Sequence, residues 1–321
     1  MTSLIYKQIK DSIDKAEHIL LLTDERIDGD TIGSTLGMYH VLCEMGKRVS
    51  VFSPQPIVDT LKFLPGVEDI GRDSAIFQDD SIDLVIIFDC SDGGYIREHI
   101  PSMRRPVPLV VLDHHESNPR YGTINLIESD AASTADIAWR FVKAMKFSMN
   151  RLAAQCFLTG ICTDTHIFLT SNTSVASLDA AHELSMYGAR LQDIVRETMM
   201  NRSLSTLRLW GLAFERLHWN EEFQIMATAI TEADIKLLGV EEMETKSLAN
   251  FLNAMLEGED AVLVMRETDD GAVKGSFRSH ERDVCELASR FGGGGHTRAA
   301  GFKVDSARLV ESSEAWNIVK Q

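Results

Sequence analysis

Paired thiols are the first thing this chain lacks. Its five cysteines (Cys43, Cys90, Cys156, Cys162 and Cys285) are odd in number and show no CxxC spacing. That excludes a disulfide framework and a thiolate zinc site, and leaves reduced cysteines in the core. Long apolar runs are missing too. No stretch reaches the roughly 18 apolar residues of a membrane-spanning helix, so no membrane partner is expected. The N-terminal MTSLIYKQIKDSIDKAEHI mixes charged and apolar residues at helical spacing. It has neither the basic start nor the apolar block of a signal peptide, and a cytoplasmic location is expected. Positive charge is scarce, with 32 Lys and Arg against 48 Asp and Glu, a net charge of −16. Proteins that grip long nucleic acid usually carry a basic face, so no long duplex is expected as a partner. A local basic groove stays open, and a nucleotide substrate would be a short one. Internal repeats, low-complexity tracts and long Pro/Ser linkers are all absent.

What is present suggests two domains. The chain has 321 residues, 44% of them hydrophobic, enough for a sizeable core. Short apolar runs at 18–23, 48–53, 83–88 and 109–112 read as strands, the first, third and fourth as fully buried ones. Apolar-periodic helices are expected near 31–44 and 133–146. The alternation is a βαβ pattern, hence an α/β fold with a mostly parallel sheet covered by helices. Residues 152–161, 174–187, 191–200 and 204–217 have helical spacing. Beyond 220 the character changes, with strands expected at 223–230, 261–267 and 273–278 and helices near 244–256 and 283–290. This places a second, smaller α/β domain after a boundary near 190–205.

Three of the apolar runs end in acidic residues. The run at 18–23 leads into Asp24-Glu-Arg-Ile-Asp28-Gly-Asp30, that at 83–88 into Asp89-Cys-Ser-Asp92, and that at 109–112 into Asp113-His114-His115. Open α/β sheets place ligands beyond the carboxyl ends of their strands. Carboxylates crowded there repel one another unless something positive sits among them, and one or two divalent cations are the natural answer. Two carboxylates flanking Gly29 can reach adjacent ions, and Asp89 has two oxygens with which to bridge them. Two consecutive histidines point in different directions if the segment is extended, so that one ligates metal and the other faces substrate. Thr163-Asp164-Thr165 closes a helical stretch. Gly292 to Gly295, followed by His296, carries a large entropic cost that close approach of backbone N–H groups to a phosphate would explain. Arg278-Ser279 can add a cation and a hydroxyl to that pocket.

These segments, IDGDTIGS, FDCSD, LDHH, TDT and SFRS…FGGGGHTRAAGF in this order, resemble the DHH phosphoesterases. The chain is most similar to their stand-alone two-domain branch with a DHH-associated C-terminal domain, the nanoRNase/pAp phosphatases. The RecJ exonucleases carry extra domains for which this chain has no room, and family II pyrophosphatases have a basic motif in place of GGGGH. The resemblance implies a Rossmann-like DHH metal-binding domain over 1–195, a helical linker at 196–215 and a substrate-binding domain over 216–321. It also implies two Mn²⁺ ions, with Mg²⁺ as an alternative. Asp28 would bind the first, Asp30, His114 and Asp164 the second, with Asp89 bridging. Asp113 would support His114, and His115 would face the phosphate. Arg278, Ser279, Gly293, Gly294 and His296 match the substrate-binding stretch.

The implied activity is hydrolysis of short oligoribonucleotides, linear dinucleotides or 3′-phosphoadenosine 5′-phosphate (pAp) by attack of metal-activated water. Cleavage of a cyclic dinucleotide, or nucleotide sensing without turnover, are the alternatives, and a homodimer is compatible with the family. Three positions depart from the family pattern. Asp24 stands where a metal-ligating His is usual, Thr31 where Ala is usual and His166 where Gly is usual. Asp24 is expected either to replace that His as an oxygen ligand or to leave the first site weak.

Overall fold

The computed structural model describes residues 2–91, 93–94, 96, 100, 103, 106–170, 172–200, 203–240, 245, 248–256, 261–312 and 315–320. The chain divides into two compact units, Met1–Asn201 and Arg202–Gln321.

In the first unit, α1 (Thr2–Lys15) leads into β1 (His18–Leu22), α2 (Gly29–Glu44) and β2 (Arg48–Phe52). There follow β3 (Ile70–Gly71), β4 (Leu84–Phe88), β5 (Leu109–Asp113), β6 (Ile124–Ile127), α3 (Thr134–Ala144), α4 (Arg151–Asp164), α5 (Val175–Met186) and α6 (Leu191–Val195). The six strands form one sheet in the order β3-β2-β1-β4-β5-β6, parallel throughout. The central strands are unbroken apolar runs because both their faces are buried. On β1, Ile19 and Leu21 enter one core and Leu20 and Leu22 the other. β4 and β5 alternate in the same way. Strand order reverses between β1 and β4, and the reversal opens a crevice at the carboxyl edge of the sheet, where ligands bind in this architecture.

Two local features shape that edge. Helices α2, α3 and α4 pack so closely that a Cβ on Gly160 of α4 would lie 2.5 Å from the Ala135 Cβ of α3 and 2.9 Å from Asp30 Oδ1 of α2. Only glycine leaves room there for the Asp30 carboxylate. Beyond α4, His166, Ile167 and Phe168 occupy the left-handed region, with φ of 51°, 57° and 63°. Residues with a Cβ resist that conformation by about 1–2 kcal/mol each. The turn is held by Thr165, whose Oγ1 accepts from Phe168 N at 3.1 Å and whose carbonyl accepts from Leu169 N at 2.9 Å. His166→Gly is therefore expected to stabilise the fold by roughly 0.5–1 kcal/mol, the strain relieved less the added chain entropy. A higher urea midpoint at unchanged slope would show it.

The second unit runs α7 (Leu204–Glu215), β7 (His218–Asn220), β8 (Ile225–Ile230), α8 (Glu232–Leu238), α9 (Leu248–Met255), β9 (Ala261–Glu267), β10 (Val273–Ser279), α10 (Val284–Ser289), β11 (Gly294–His296) and β12 (Ala299–Val304). A hairpin of β13 (Ala307–Glu311) and β14 (Trp316–Lys320) ends it. Its mixed sheet has the order β11-β12-β10-β9-β8-β7, with β8 and β9 parallel and the other pairs antiparallel. Leu209, Trp210 and Ala213 of α7, in the stretch read from sequence as a linker, pack into a core with Ile230, Leu248 and Val262. The helix expected over 244–256 appears as α9, while Glu244, Lys246 and Ser247 lie outside the described residues. Among the described residues no helix is long and apolar enough to cross a membrane.

Candidate metal centre

The expected acidic residues of the first unit are placed by several elements, Asp28 and Asp30 both by the start of α2. Asp28 is the N-cap of α2: its Oδ1 accepts from Asp30 N and Thr31 N, both at 2.9 Å, and from Thr31 Oγ1 at 3.2 Å. Two residues later, Asp30 is buried. Its two oxygens accept from Thr134 N at 2.7 Å and Ala135 N at 2.8 Å, the unbonded N–H groups that open α3. Asp89 follows β4 in the left-handed conformation, φ 58°. That kink turns its carboxylate onto two hydroxyls: Thr31 Oγ1 donates to Oδ2 at 2.7 Å and Thr134 Oγ1 to Oδ1 at 3.1 Å. Asp164 is the last residue of α4.

His114 joins these groups. Its Nε2 lies 3.6 Å from Asp89 Oδ1 and 3.6 Å from Asp164 Oδ2. Two sets of ligand atoms, Asp89/His114/His115 and Asp30/His114/Asp164, each fall within 4.8 Å of one another. The sequence-based picture of divergent histidines does not hold. The chain leaves extended geometry after Asp113, and the rings of His114 and His115 lie 4.6 Å apart.

Asp113 also differs from expectation, since the structure gives its carboxylate to His115 rather than to His114. Its Oδ1 accepts from His115 Nδ1 at 2.7 Å and from His115 N at 3.1 Å, a side-chain turn two residues long, and its Oδ2 accepts from Asn118 Nδ2 at 2.7 Å. The bond to Nδ1 fixes the orientation of the His115 ring.

Asp24 is buried at the end of β1, but its loop holds it. Oδ1 accepts from Glu25 N at 2.8 Å, and Oδ2 lies 3.3 Å from Arg26 Nε. Arg26 reaches on to Ser91 Oγ at 3.4 Å. Asp24, Asp28 and His166 fall outside both convergent sets. Asp92 of the FDCSD segment lies outside the described residues.

The electrostatics favour a cation. Burial pushes Asp30 up to about 6; His114 and the α3 N–H groups oppose the rise, and Asp28 adds to it. Burial also holds Asp89 and Asp164 well above the usual carboxylate range, and repulsion from Asp30 and Asp28 adds to both. Asp113 ends below the ordinary value, because bonds from His115 and Asn118 outweigh its burial. Two buried carboxylates and a half-buried one that resist ionising together, gathered on one imidazole, form an oxygen-rich donor set that fits a hard divalent ion.

In the second unit, Arg278 and His296 both pair with Ala299 of β12, from opposite sides, so one cross-strand row carries both. Arg278 is held by two neutral groups, Asn250 Oδ1 and the Phe277 carbonyl, and burial lowers its pKa. The Ser279 hydroxyl accepts from Arg282 N at 2.6 Å and Glu281 N at 3.2 Å, which fixes the turn after β10. Most of the glycine run serves the fold. A Cβ on Gly293 would lie 2.2 Å from the Gly301 carbonyl, and Gly292 and Gly295 have φ of 73° and 145°. At Gly292 and Gly294 nothing lies within 4 Å of an added Cβ, and of these two only Gly294 has no left-handed φ to explain its glycine.

Sequence reading missed four polar groups at the centre: Arg26, Thr31 and Thr134 at the carboxylates, and Asn118 behind Asp113. Thr31 had been noted only as a departure from alanine. The other three look like ordinary turn or helix-start residues until the loops are folded together.

A parallel sheet with this strand order, bearing Asp89, His114 and Asp164 at its carboxyl edge, defines a class. The model of the DHH family N-terminal domain matches residues 18–161, and that of the DHHA1 domain matches residues 232–317. The chain belongs to the DHH family. It is 28% identical over 299 residues to the bifunctional oligoribonuclease and PAP phosphatase NrnA of Thermus thermophilus, covering 92% of this chain and 87% of that protein. The Bacillus subtilis protein of the same name is 26% identical over 296 residues, covering 90% of each chain. Among solved structures, an exopolyphosphatase-related protein from Bacteroides fragilis shares the fold with a TM-score of 0.84 at 23% identity, over 94% of this chain and 91% of that one. RecJ from Thermus thermophilus in complex with Mn²⁺ superposes with a TM-score of 0.51 at 14% identity, over 95% of this chain and 52% of that one.

Proposed function

We propose that this chain is a metal-dependent phosphoesterase that hydrolyses short oligoribonucleotides, linear dinucleotides or pAp, acting in the cytoplasm. One observation carries the reading: Asp30, Asp89 and Asp164, all with raised carboxyl pKa values, converge on His114. The named activities of the Thermus and Bacillus relatives support the substrate class, and the Mn²⁺ of RecJ supports the choice of ion. Asp30, Asp89, His114 and Asp164 would hold the ion or ions, with Asp28 as a further ligand on the exposed side. A bound dication there supplies Lewis acidity and lowers the pKa of water. Thr31 and Thr134 orient the Asp89 carboxylate. His115, fixed by Asp113, directs Nε2 toward a phosphoryl oxygen. Within the second unit, Arg278, Gly294 and His296 are the proposed nucleotide-binding residues, while Ser279 and Gly293 shape the strand ends that carry them. The test is a panel of short RNAs, pAp, and linear and cyclic dinucleotides with Mn²⁺ or Mg²⁺. Turnover of the linear substrates or pAp is expected. Binding without turnover would replace this reading with the sensor.

Asp24 is the position where this centre departs from its family. With both its oxygens engaged by Glu25 and Arg26, it contributes weakly to an ion beside Asp28. Asp24→His is expected to raise Mn²⁺ affinity by about tenfold, as read by titration calorimetry. Unchanged affinity and stoichiometry would remove position 24 from the metal's surroundings.

A further inference from the structure

We propose that Asn118 is a positioning residue that sets the aim of His115. The inference rests on the phosphoesterase reading and adds to it a residue outside the expected site.

Asn118 is buried between the loops that follow β4 and β5. Its Nδ2 donates to Asp113 Oδ2 at 2.7 Å and to the Cys90 carbonyl at 3.0 Å. Its Oδ1 accepts from Arg120 N at 2.8 Å, and its own N–H closes a turn onto the His115 carbonyl at 3.1 Å. Both amide protons and the amide oxygen are thus committed. One end of this bridge is Asp113, fully buried, whose other oxygen holds the His115 ring. The other end is the carbonyl of Cys90, which follows the left-handed Asp89 and also accepts from Tyr121 Oη at 2.9 Å. Asp89 and His115 lie on separate loops, and the Asn118 side chain bonds the neighbour of each, the Cys90 carbonyl beside Asp89 and the Asp113 carboxylate that holds His115. Without it, Asp113 Oδ2 loses the donor that stops the carboxylate from rotating. His115 Nδ1 then loses a fixed acceptor, and Nε2 loses its direction. Partners of this kind, one bond removed from the working groups, are worth about 10–100-fold in activity.

The test is Asn118→Asp. This variant keeps the size of the side chain and the acceptor for Arg120 N, but has no N–H for Asp113 or Cys90. It is expected to lower kcat by about 10–100-fold with KM within about twofold. Ring-nitrogen NMR of His115, assigned with His115→Gln, should show the Nδ1-protonated tautomer in the wild type and a shifted signal in the variant. Unchanged kcat, or a loss carried by KM alone, overturns the proposal. So does a fall in kcat and melting temperature together with an unmoved His115 signal. If Asn118→Asp does not fold, Asn118→Ala removes the added carboxylate and is read in the same way. The wild-type spectrum decides without any variant, since a His115 protonated on Nε2 alone would sink the idea. Failure of the phosphoesterase reading looks different: the wild type turns over no substrate of the panel, while the spectroscopic comparison remains readable.

Discussion

Asp89→Asn will lower hydrolysis at saturating Mn²⁺ by roughly a thousand-fold or more, and will raise the melting temperature of the metal-free protein. The two halves of this prediction have one cause. Asp89 Oδ1 lies 3.6 Å from His114 and 3.5 Å from His115, at the point shared by imidazole and carboxylate ligands. Removing its charge takes an anionic ligand from the centre, and even outer partners of such ligands cost about 10–100-fold. The same charge is a burden when no cation is bound, because Asp30, Asp28 and Asp164 all repel it. Asparagine keeps the shape, can accept from one of the two threonine hydroxyls through its oxygen and donate to the other through Nδ2, and tolerates the left-handed φ of 58° better than most residues. The variant should therefore fold at least as well as the wild type, with a melting temperature several degrees higher in EDTA. Calorimetry in EDTA and a dinucleotide assay in Mn²⁺ check the two halves. A variant that turns over at the wild-type rate would remove Asp89 from the reaction.

The stabilisation given by Mn²⁺ should grow with pH. Asp30, Asp89 and Asp164 all have folded pKa values above the ordinary carboxylate value, that of Asp30 at about 6. A group raised in this way contributes its full stability below its unfolded pKa and loses it as pH rises through the folded one. The metal-free chain should thus weaken from about pH 4 upward, through pH 6 and beyond. Ionised carboxylates are the form that binds metal, and His114 must be neutral to ligate, so the loaded protein escapes that loss. The difference in melting temperature between saturating Mn²⁺ and EDTA is expected to be small near pH 5 and several degrees or more near pH 8. Equal differences at the two pH values would mean that these carboxylates do not surround the ion.

Legibility in the sequence followed burial. β1, β4 and β5 stood out because both their faces are covered, which leaves unbroken apolar runs. β3 has two residues and β6 only one buried position, so neither carries a pattern. In the second unit β11 consists of two glycines and a histidine, and its pairing follows from β12 rather than from any propensity of its own. At the site, acidic residues at strand ends drew attention to Asp89 and His114 because the fold makes strand ends converge, and Asp164 was legible as the close of a helical stretch. The partner of Asp113 was out of reach, since it depends on how the chain turns in the two residues after β5. Asn118 was hidden for the same reason: its value lies in two bonds to different loops, which no local spacing encodes. The glycine run was over-read, because crowding against β12 accounts for Gly293 as well as a ligand would.

One consequence concerns Asp30. Its carboxylate occupies the opening N–H groups of α3, so the same two oxygens serve a helix terminus and the ion cluster. Substituting it strips an end cap from a neighbouring helix as well as charge from the crevice. Mutational surveys will then overrate Asp30 as a chemical participant unless thermal denaturation is recorded beside every rate.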